Sequence, residues 1–188
     1  MKSEPERPAY RIENDHALIE IRLHTVRQLF HTLDPAPFHE KDLDDNAADY
    51  LEQACHEAGR RRKVRLVVHL PAEEVQSESS RSLAEAIHNF FAHRERQLGN
   101  DIARLMRYGT ASLTIGLIFL IACLALRQTL DAHPIFADQS IIDEGLLILG
   151  WVAMWRPIEV LLYDWWPIAR RRAVMHRLAA IPVEVRTS

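Results

Sequence analysis

The strongest constraint on this chain is a run of 18 residues, 109–126, that contains no charged side chain. As a helix with ~1.5 Å rise per residue it covers ~27 Å, which is most of a bilayer's hydrocarbon core. A helix that is apolar on all sides has to be buried in a large core or in lipid. The remainder of this 188-residue chain is too small to surround it. The sequence therefore predicts a transmembrane helix over residues 109–127.

A second apolar segment, residues 144–164, is also predicted to span the membrane, although it contains Arg156 and Glu159. A charge at membrane depth costs at least ~2.5–3.5 kcal/mol on insertion scales. Because these two residues are three apart, they share a helix face and can form an ion pair. Ionisable residues inside a membrane are candidates for a functional site, so this intramembrane pair is the first candidate site.

Pro157 makes the second segment less regular than the first. Proline removes a backbone donor, so the sequence predicts a kink one turn earlier, near Ala153. The alternative interpretation is an interfacial or re-entrant helix that ends at Trp155.

The flanks of both segments predict their orientation. Aromatic residues favour the membrane interface, and the expected anchors are Tyr108, Tyr163, Trp165 and Trp166. Arginines precede the first segment and follow the second, whereas the connection 128–143 is acidic. The positive-inside rule then places both termini in the cytoplasm and the connection outside. Contact with anionic lipid is expected for the basic run Arg170, Arg171 and Arg172.

The remaining residues predict a small cytoplasmic α+β domain, into which the transmembrane helical hairpin is inserted. Residues 1–15 are expected to form a disordered leader without a signal peptide. Apolar and charged residues alternate around 17–23, 64–70 and 181–186, which predicts a three-stranded sheet with helices on one face. Residues 16–108 supply the first two strands, predicted to be parallel, and a long amphipathic helix. Residues 165–188 supply a helix and the final strand, which Pro182 places at an edge.

Candidate chemistry is sparse. Phosphate-binding loops need closely spaced glycines, and this chain has none, so P-loop and dinucleotide-binding classes lack their motif. The formal net charge of −3 argues against a nucleic-acid partner. His31, His39 and Asp42 are weak metal-ligand candidates, because their residue types suit a metal but their spacing matches no known motif. No cofactor is predicted.

Two stretches, residues 29–51 and 150–172, resemble uncharacterised bacterial two-span membrane proteins with a small cytoplasmic domain. The resemblance covers most of residues 17–186. It implies a bacterial inner-membrane location and no particular activity, cofactor or catalytic residue.

These observations favour a non-enzymatic accessory or scaffold protein that docks a partner or assembles with itself. The expected contact surfaces are the Arg156–Glu159 face and a charged sheet face formed by Glu20, Arg22, Arg65, His69, Glu184 and Arg186. One alternative is a membrane-tethered, metal-dependent enzyme that uses the loop 31–45. The other is an oligomeric pore or transporter subunit lined in part by Arg156. Lipid and a protein partner are the expected contacts.

Overall fold

A computed structural model describes residues 11–13, 16–30, 42–59, 62–131 and 140–187 of the chain. The chain divides into two compact units. The first consists of Met1–Gln97 and Arg171–Ser188, and the second is Leu98–Arg170.

The first unit contains a four-stranded sheet in the order β1-β2-β3-β4. Its strands are Ile12–Glu13 (β1), His16–Arg22 (β2), Lys63–Leu70 (β3) and Val183–Thr187 (β4). β2 and β3 are parallel, as predicted. β4 pairs in parallel with β3 at the edge of the sheet, so the C-terminal strand does return to strands from the N-terminal part.

The prediction of three strands was wrong, because Ile12–Glu13 forms a fourth strand within the segment expected to be a disordered leader. β1 pairs antiparallel with β2 through Ile12 opposite Ala17 and Glu13 opposite His16. The amide of Leu18 also donates to the carbonyl of Arg11 at 2.8 Å. Two residues are too few to show alternation, so only pairing with β2 defines this strand. Residues 1–10 and 14–15 of the predicted leader lie outside the described residues.

Short elements connect β2 to β3 and β3 to the long helix. A 3₁₀ turn, Val26–Leu29, follows β2, and helix α1, Asp45–Glu57, precedes β3. Asp44 caps α1 by accepting from the amide of Asn46 at 3.0 Å. Gly59 follows the helix with φ of 80°, a left-handed conformation that suits glycine. From the sequence, either Asp44 or Asp45 is expected to cap this helix and Gly59 to end it, and in the structure the cap is Asp44. Two single-turn helices, Ala72–Val75 (α2) and Glu78–Arg81 (α3), follow β3.

Three longer helices complete the chain. Helix α4, Leu83–Asp131, is a single helix of 49 residues. Helix α5 is Ser140–Glu159, and a π-helical turn, Val160–Asp164, leads from it directly into helix α6, Trp165–Ala179. In the first unit, the apolar core combines sheet residues with residues of α1, α4 and α6. Its fully buried members include Ile19, Leu66, Leu51, Ile87, Phe91 and Leu178.

A π-helical turn follows Pro157, and the kink that the sequence predicts near Ala153 remains a prediction. Helix α5 remains α-helical through both residues. In the π-turn, the indole nitrogen of Trp165 donates to the carbonyl of Leu161 at 3.0 Å. In a regular α-helix that carbonyl accepts from the backbone amide of Trp165. The side chain therefore satisfies a carbonyl that the wider turn releases, a contact that the proline rule does not foresee.

Two helices in the described residues are long and apolar enough to cross a membrane: Leu83–Leu130 and the continuous helical segment Glu144–Ala179. Only 17% of the most apolar 18-residue window of each is buried. The core helix of a soluble protein would be mostly buried, whereas these helices expose their apolar side chains. Length, composition and exposure together are consistent with membrane association.

Helix α5 and the π-turn that follows it are called the α5–π segment (Ser140–Asp164). Glycines allow this segment to pack closely against α4 within the second unit. A Cβ atom placed on Gly109 would lie 2.9 Å from Cδ2 of Leu161, and one on Gly116 would lie 3.1 Å from the backbone oxygen of Ala153. A Cβ on Gly150 would lie 2.5 Å from Cδ1 of Leu120. As the position on one helix advances, its contact on the other recedes, so the two segments pack antiparallel. Small residues of this kind are typical of helix contacts in membranes.

Candidate functional site

Arg156 lies at the centre of an ion cluster on the α5–π segment. Its Nη1 donates to Oε2 of Glu159 at 3.0 Å, the pairing that their spacing predicts. Its Nη2 lies 3.2 Å from Oδ2 of Asp164, a partner that sequence reasoning missed. One guanidinium thus faces two carboxylates, and the formal charge of the cluster is −1.

The π-turn explains why Asp164 joins this cluster. Residues eight apart on a regular α-helix are separated by about 80° around the axis, because each residue advances about 100°. The i→i+5 turn at Val160–Asp164 advances less per residue, which moves Asp164 towards the face that carries Arg156. π-turns in helices occur frequently at functional sites. The only signal available in the sequence was an acid eight residues after Arg156 in a segment otherwise almost free of charge.

The ion pair with Asp164 also shows the direction of the Arg156 side chain. Asp164 is eight residues further along, or ~12 Å of helix. The long arginine side chain therefore extends towards the aromatic and basic end of the segment. This is the geometry by which an arginine on an apolar helix brings its charge to a polar boundary.

An exposed aromatic patch lies beside the cluster. Trp151 and Trp155 are 67% and 72% exposed, although both lie in the middle of the apolar segment. Together with Val152 and Arg156 they line a groove of about 400 Å³. Tryptophan normally favours the interface between membrane and water instead of the middle of a span. Neither indole N–H has a hydrogen-bond partner in the part of the chain that the structure describes.

The predicted interfacial anchors differ in their contacts. Tyr108, Tyr163 and Trp166 are exposed. The guanidinium of Arg170 lies 4.6 Å from the centre of the Trp166 ring, a cation–π contact. Trp165 is half-buried and holds the carbonyl of Leu161, as described above. Three of the four side chains are therefore available for the interfacial contacts that the sequence predicts.

Two of the three basic residues expected to face lipid have acidic partners within the first unit. Arg171 forms a bidentate ion pair with Glu52, at 2.7 and 2.8 Å, and this hydrogen bonding raises the pKa of Arg171. Nη2 of Arg172 lies 3.5 Å from Oε1 of Glu95. Bidentate pairs orient both partners, so Arg171 joins α6 to α1. Lipid contact of the run remains a prediction, and Arg170 is the member that meets no carboxylate among the described side chains.

The charged sheet face predicted from alternation does exist. In the observed register its six residues, Glu20, Arg22, Arg65, His69, Glu184 and Arg186, all lie on one side of the sheet. Glu184 accepts from Arg65 at 3.1 Å and from Arg186 at 2.8 Å. Arg186 also donates to Glu13 of β1 at 3.1 Å, so this ion pair joins the two outer strands of the described sheet. The network satisfies much of the face's own charge, which leaves less of it for a partner.

This network predicts a pH dependence of stability. Hydrogen bonds from Arg186 and Arg65 lower the pKa of Glu184, so the folded state favours its carboxylate. The resulting stabilisation is present above the unfolded-state pKa of about 4.3 and is lost as the pH falls through the lower folded-state pKa. Glu184→Gln is therefore expected to destabilise the protein at pH 7 and to make progressively less difference as the pH falls below about 4.

Urea unfolding of the full chain in detergent at pH 7 and at acidic pH measures this difference. Glu73→Gln is a suitable control, because Glu73 is exposed on α2 and forms no ion pair with a described residue. An effect of Glu184→Gln that is the same at both pH values would contradict the prediction.

Only one of the three metal-ligand candidates, Asp42, lies within the described residues, so the candidate set stays a prediction. His31 and His39 lie outside these residues. Asp42 lines a groove of about 330 Å³ with Asp45, Phe90, His93 and Arg94 among others. Nη2 of Arg94 lies 3.8 Å from Oδ1 of Asp45. Within the described ranges, no group of three or more His, Cys, Asp or Glu side chains is arranged to hold a metal ion.

The described protein is thus an α+β unit with a four-stranded sheet, together with two helices long and apolar enough to cross a membrane. No protein-family model, curated protein or solved structure matches the chain.

Proposed function

We propose that this protein is a membrane-anchored scaffold that assembles with a second copy of itself through the α5 face formed by Trp151, Trp155, Arg156 and Glu159. The observation that supports this most is the exposure of two tryptophans in the middle of an apolar segment. Tryptophan side chains are enriched among the residues that dominate protein interfaces. An indole N–H without an acceptor is costly to leave in lipid, so a protein surface is the favourable environment for this face.

The proposed arrangement is a transmembrane helical hairpin with both termini in the cytoplasm of a bacterial inner membrane. The antiparallel contacts at Gly109, Gly116 and Gly150 support the hairpin. The arginine-rich flanks and the acidic connection support the orientation through the positive-inside rule. The bacterial setting is carried over from the resemblance of residues 29–51 and 150–172.

A second copy suits this face because the face supplies both donors and acceptors. Trp151, Trp155 and Glu159 are spaced four residues apart and form one helical stripe. The stripe offers two indole donors, while the carboxylates of Glu159 and Asp164 each use only one oxygen for Arg156. In a twofold-symmetric dimer the same patch meets itself, so the donors of one copy face the acceptors of the other. The internally paired sheet face is less suited to this role.

The extended antiparallel register supports contact at the middle of the hairpin. It places Trp151 level with Phe119 and Trp155 level with Ile115, both in the central part of residues 109–126. The small residues that α4 and α5 contribute to close packing are used within the chain. The tryptophan face of α5 remains the polar and aromatic surface directed away from those contacts.

Truncation of this face is expected to dissociate the assembly. Trp151→Leu/Trp155→Leu removes both rings, and we expect self-association to weaken at least about tenfold. Trp151→Phe/Trp155→Phe keeps ring packing but removes both donors, so its effect should be smaller but in the same direction. Mass measurements and energy transfer between labelled copies in lipid nanodiscs or vesicles would quantify the dimer fraction.

Ile118→Ala/Ile121→Ala is the matched control, because both side chains are exposed and lie on the side of α4 away from Gly116. It should leave the dimer fraction unchanged. A monomeric wild-type protein, or equal loss in the control, would contradict the proposal. A larger assembly that conducts ions in vesicles would instead favour the pore alternative.

A further inference from the structure

A groove of about 460 Å³ in the first unit collects basic side chains from separate parts of the chain. His16 comes from the start of β2, Arg62 immediately precedes β3 and Lys63 begins it, and His176 and Arg177 come from the end of α6. Val64, Ala180, Ile181 and Pro182 provide its apolar wall. Its volume lies within the range of small-molecule sites, about 300–1,000 Å³.

The positive charge of this groove is not balanced as it is elsewhere in the unit. Arg65, Arg171 and Arg172 each meet a carboxylate. By contrast, among the described residues no carboxylate lines the groove, and Arg62, Lys63 and Arg177 form no ion pair there. His176 does bond to Glu95, at 3.1 Å, so the unbalanced charge of the groove is that of its three permanent cations. Concentrated charge of one sign in a concave surface attracts ligands of the opposite sign.

Arg177 is held in place by a contact that leaves its charge available. Its Nη2 donates to the carbonyl oxygen of Arg62 at 2.8 Å. This bond fixes the end of α6 to the segment before β3, but a neutral carbonyl does not neutralise a guanidinium. The three cations are thereby brought to one place by a backbone contact between segments 115 residues apart.

We propose that this groove binds a phosphate group, carried either by a soluble organic phosphate or by an anionic lipid headgroup, with Arg62, Lys63 and Arg177 as its ligands. A multiply charged anion suits three cations better than a single carboxylate does. Arginine provides forked donors that match phosphate oxygens, and lysine provides a mobile point charge. Ala180 and Pro182, the exposed apolar residues of the groove, would contact the ligand's carbon skeleton. This site is independent of the proposed self-assembly.

Pyrophosphate is a suitable first probe, and calorimetric titration of the full chain in phosphatidylcholine nanodiscs is the measurement. Arg62→Gln/Lys63→Gln removes two cations, and we expect the pyrophosphate affinity to fall roughly tenfold or more, since hydrogen bonds between charged groups are strong. Affinity should also decrease as salt concentration increases. Arg22→Gln/Arg27→Gln makes the same change in net charge at two exposed positions outside the groove, and should leave binding unchanged.

Nanodiscs containing phosphatidylglycerol distinguish the two sources of phosphate. If a lipid headgroup occupies the groove, pyrophosphate affinity falls in these discs, and the fall disappears in Arg62→Gln/Lys63→Gln. If the ligand is a soluble organic phosphate, the affinity is the same in both kinds of disc, and ATP binds with the same dependence on the two cations. Absence of pyrophosphate binding, or equal loss in the control variant, would overturn the proposal. Binding of an RNA oligonucleotide that pyrophosphate does not displace would also overturn it.

Discussion

Gly116→Leu is expected to separate α4 from α5 at their contact and to destabilise the second unit by about 1–3 kcal/mol or more. A Cβ on Gly116 would lie 3.1 Å from the backbone oxygen of Ala153 and 3.2 Å from Sδ of Met154. The methionine side chain can move, but the backbone oxygen moves only if the helix moves. The remaining leucine atoms make this displacement larger.

Gly145→Leu is the matched control for this variant. Gly145 lies on α5, and an added Cβ there would have no atom within 4 Å. Leucine is also a better helix former than glycine by about 0.8–1 kcal/mol, so the control is expected to be neutral or stabilising. Thermal unfolding followed by circular dichroism in one detergent compares the two variants. Equal stability of Gly116→Leu and Gly145→Leu would show that the close contact at Gly116 contributes nothing.

Arg156→Gln is expected to give the second large effect, because it leaves Glu159 and Asp164 without their shared cation. In the proposed transmembrane arrangement, an uncompensated charge at the centre of the span costs up to ~2.5–3.5 kcal/mol on insertion scales. We therefore expect a clear decrease in the fraction of chains whose second segment is inserted. Protease protection of the connection between α4 and α5 in membrane vesicles measures this fraction.

Removing all three charges should restore insertion. Arg156→Gln/Glu159→Gln/Asp164→Asn eliminates the unpaired carboxylates, and a buried ion cluster is often replaceable as a whole while loss of one partner is costly. Arg170→Gln is the control, because it removes one positive charge from the flank without leaving a carboxylate unpaired. If Arg156→Gln inserts as well as Arg170→Gln does, the ion cluster is not needed in the span. That result would favour the interfacial alternative for this segment. Self-association is tested independently, by the tryptophan variants.

Much of the local structure was predictable from the sequence. The alternation in 17–23 and 64–70 predicted β2 and β3, and a cap at Asp44 or Asp45 with a stop at Gly59 predicted α1. Each of these features depends on residues close together in the chain. The sheet-face charges were also predictable, since alternate residues of a strand share a face. β1 was missed because its only support is pairing with another strand.

The candidate site was predicted only in part. The spacing of Arg156 and Glu159 predicted their ion pair, because a regular helix brings residues three apart together. The contact of Asp164 with Arg156 was not predicted, because it depends on the π-helical turn at Val160–Asp164. In that turn the indole of Trp165 bonds to the carbonyl of Leu161. The sequence also showed that the run 170–172 is basic. It did not predict that Arg171 pairs with Glu52, which lies 119 residues away in the chain.

The basic groove could not be predicted from local sequence patterns, because its residues come from separate parts of the chain. In the sequence, Arg62 and Lys63 belong to a short basic run, and Arg177 lies far from that run in a separate helix. Parallel pairing of β3 with β2 and β4 places the starts of these strands at one edge of the sheet, next to the end of α6.

By itself, the sequence determined two long apolar segments, the alternation of two parallel strands and the helix cap, because hydropathy, periodicity and capping are local properties. Only the three-dimensional structure showed the fourth strand, the ion pair between Arg156 and Asp164, and the groove around Arg177. The groove depends on contacts between residues that are distant in the chain. The fourth strand depends on pairing with β2 that its own two residues do not signal. The contact of Arg156 with Asp164 depends on a turn whose geometry departs from the regular helix.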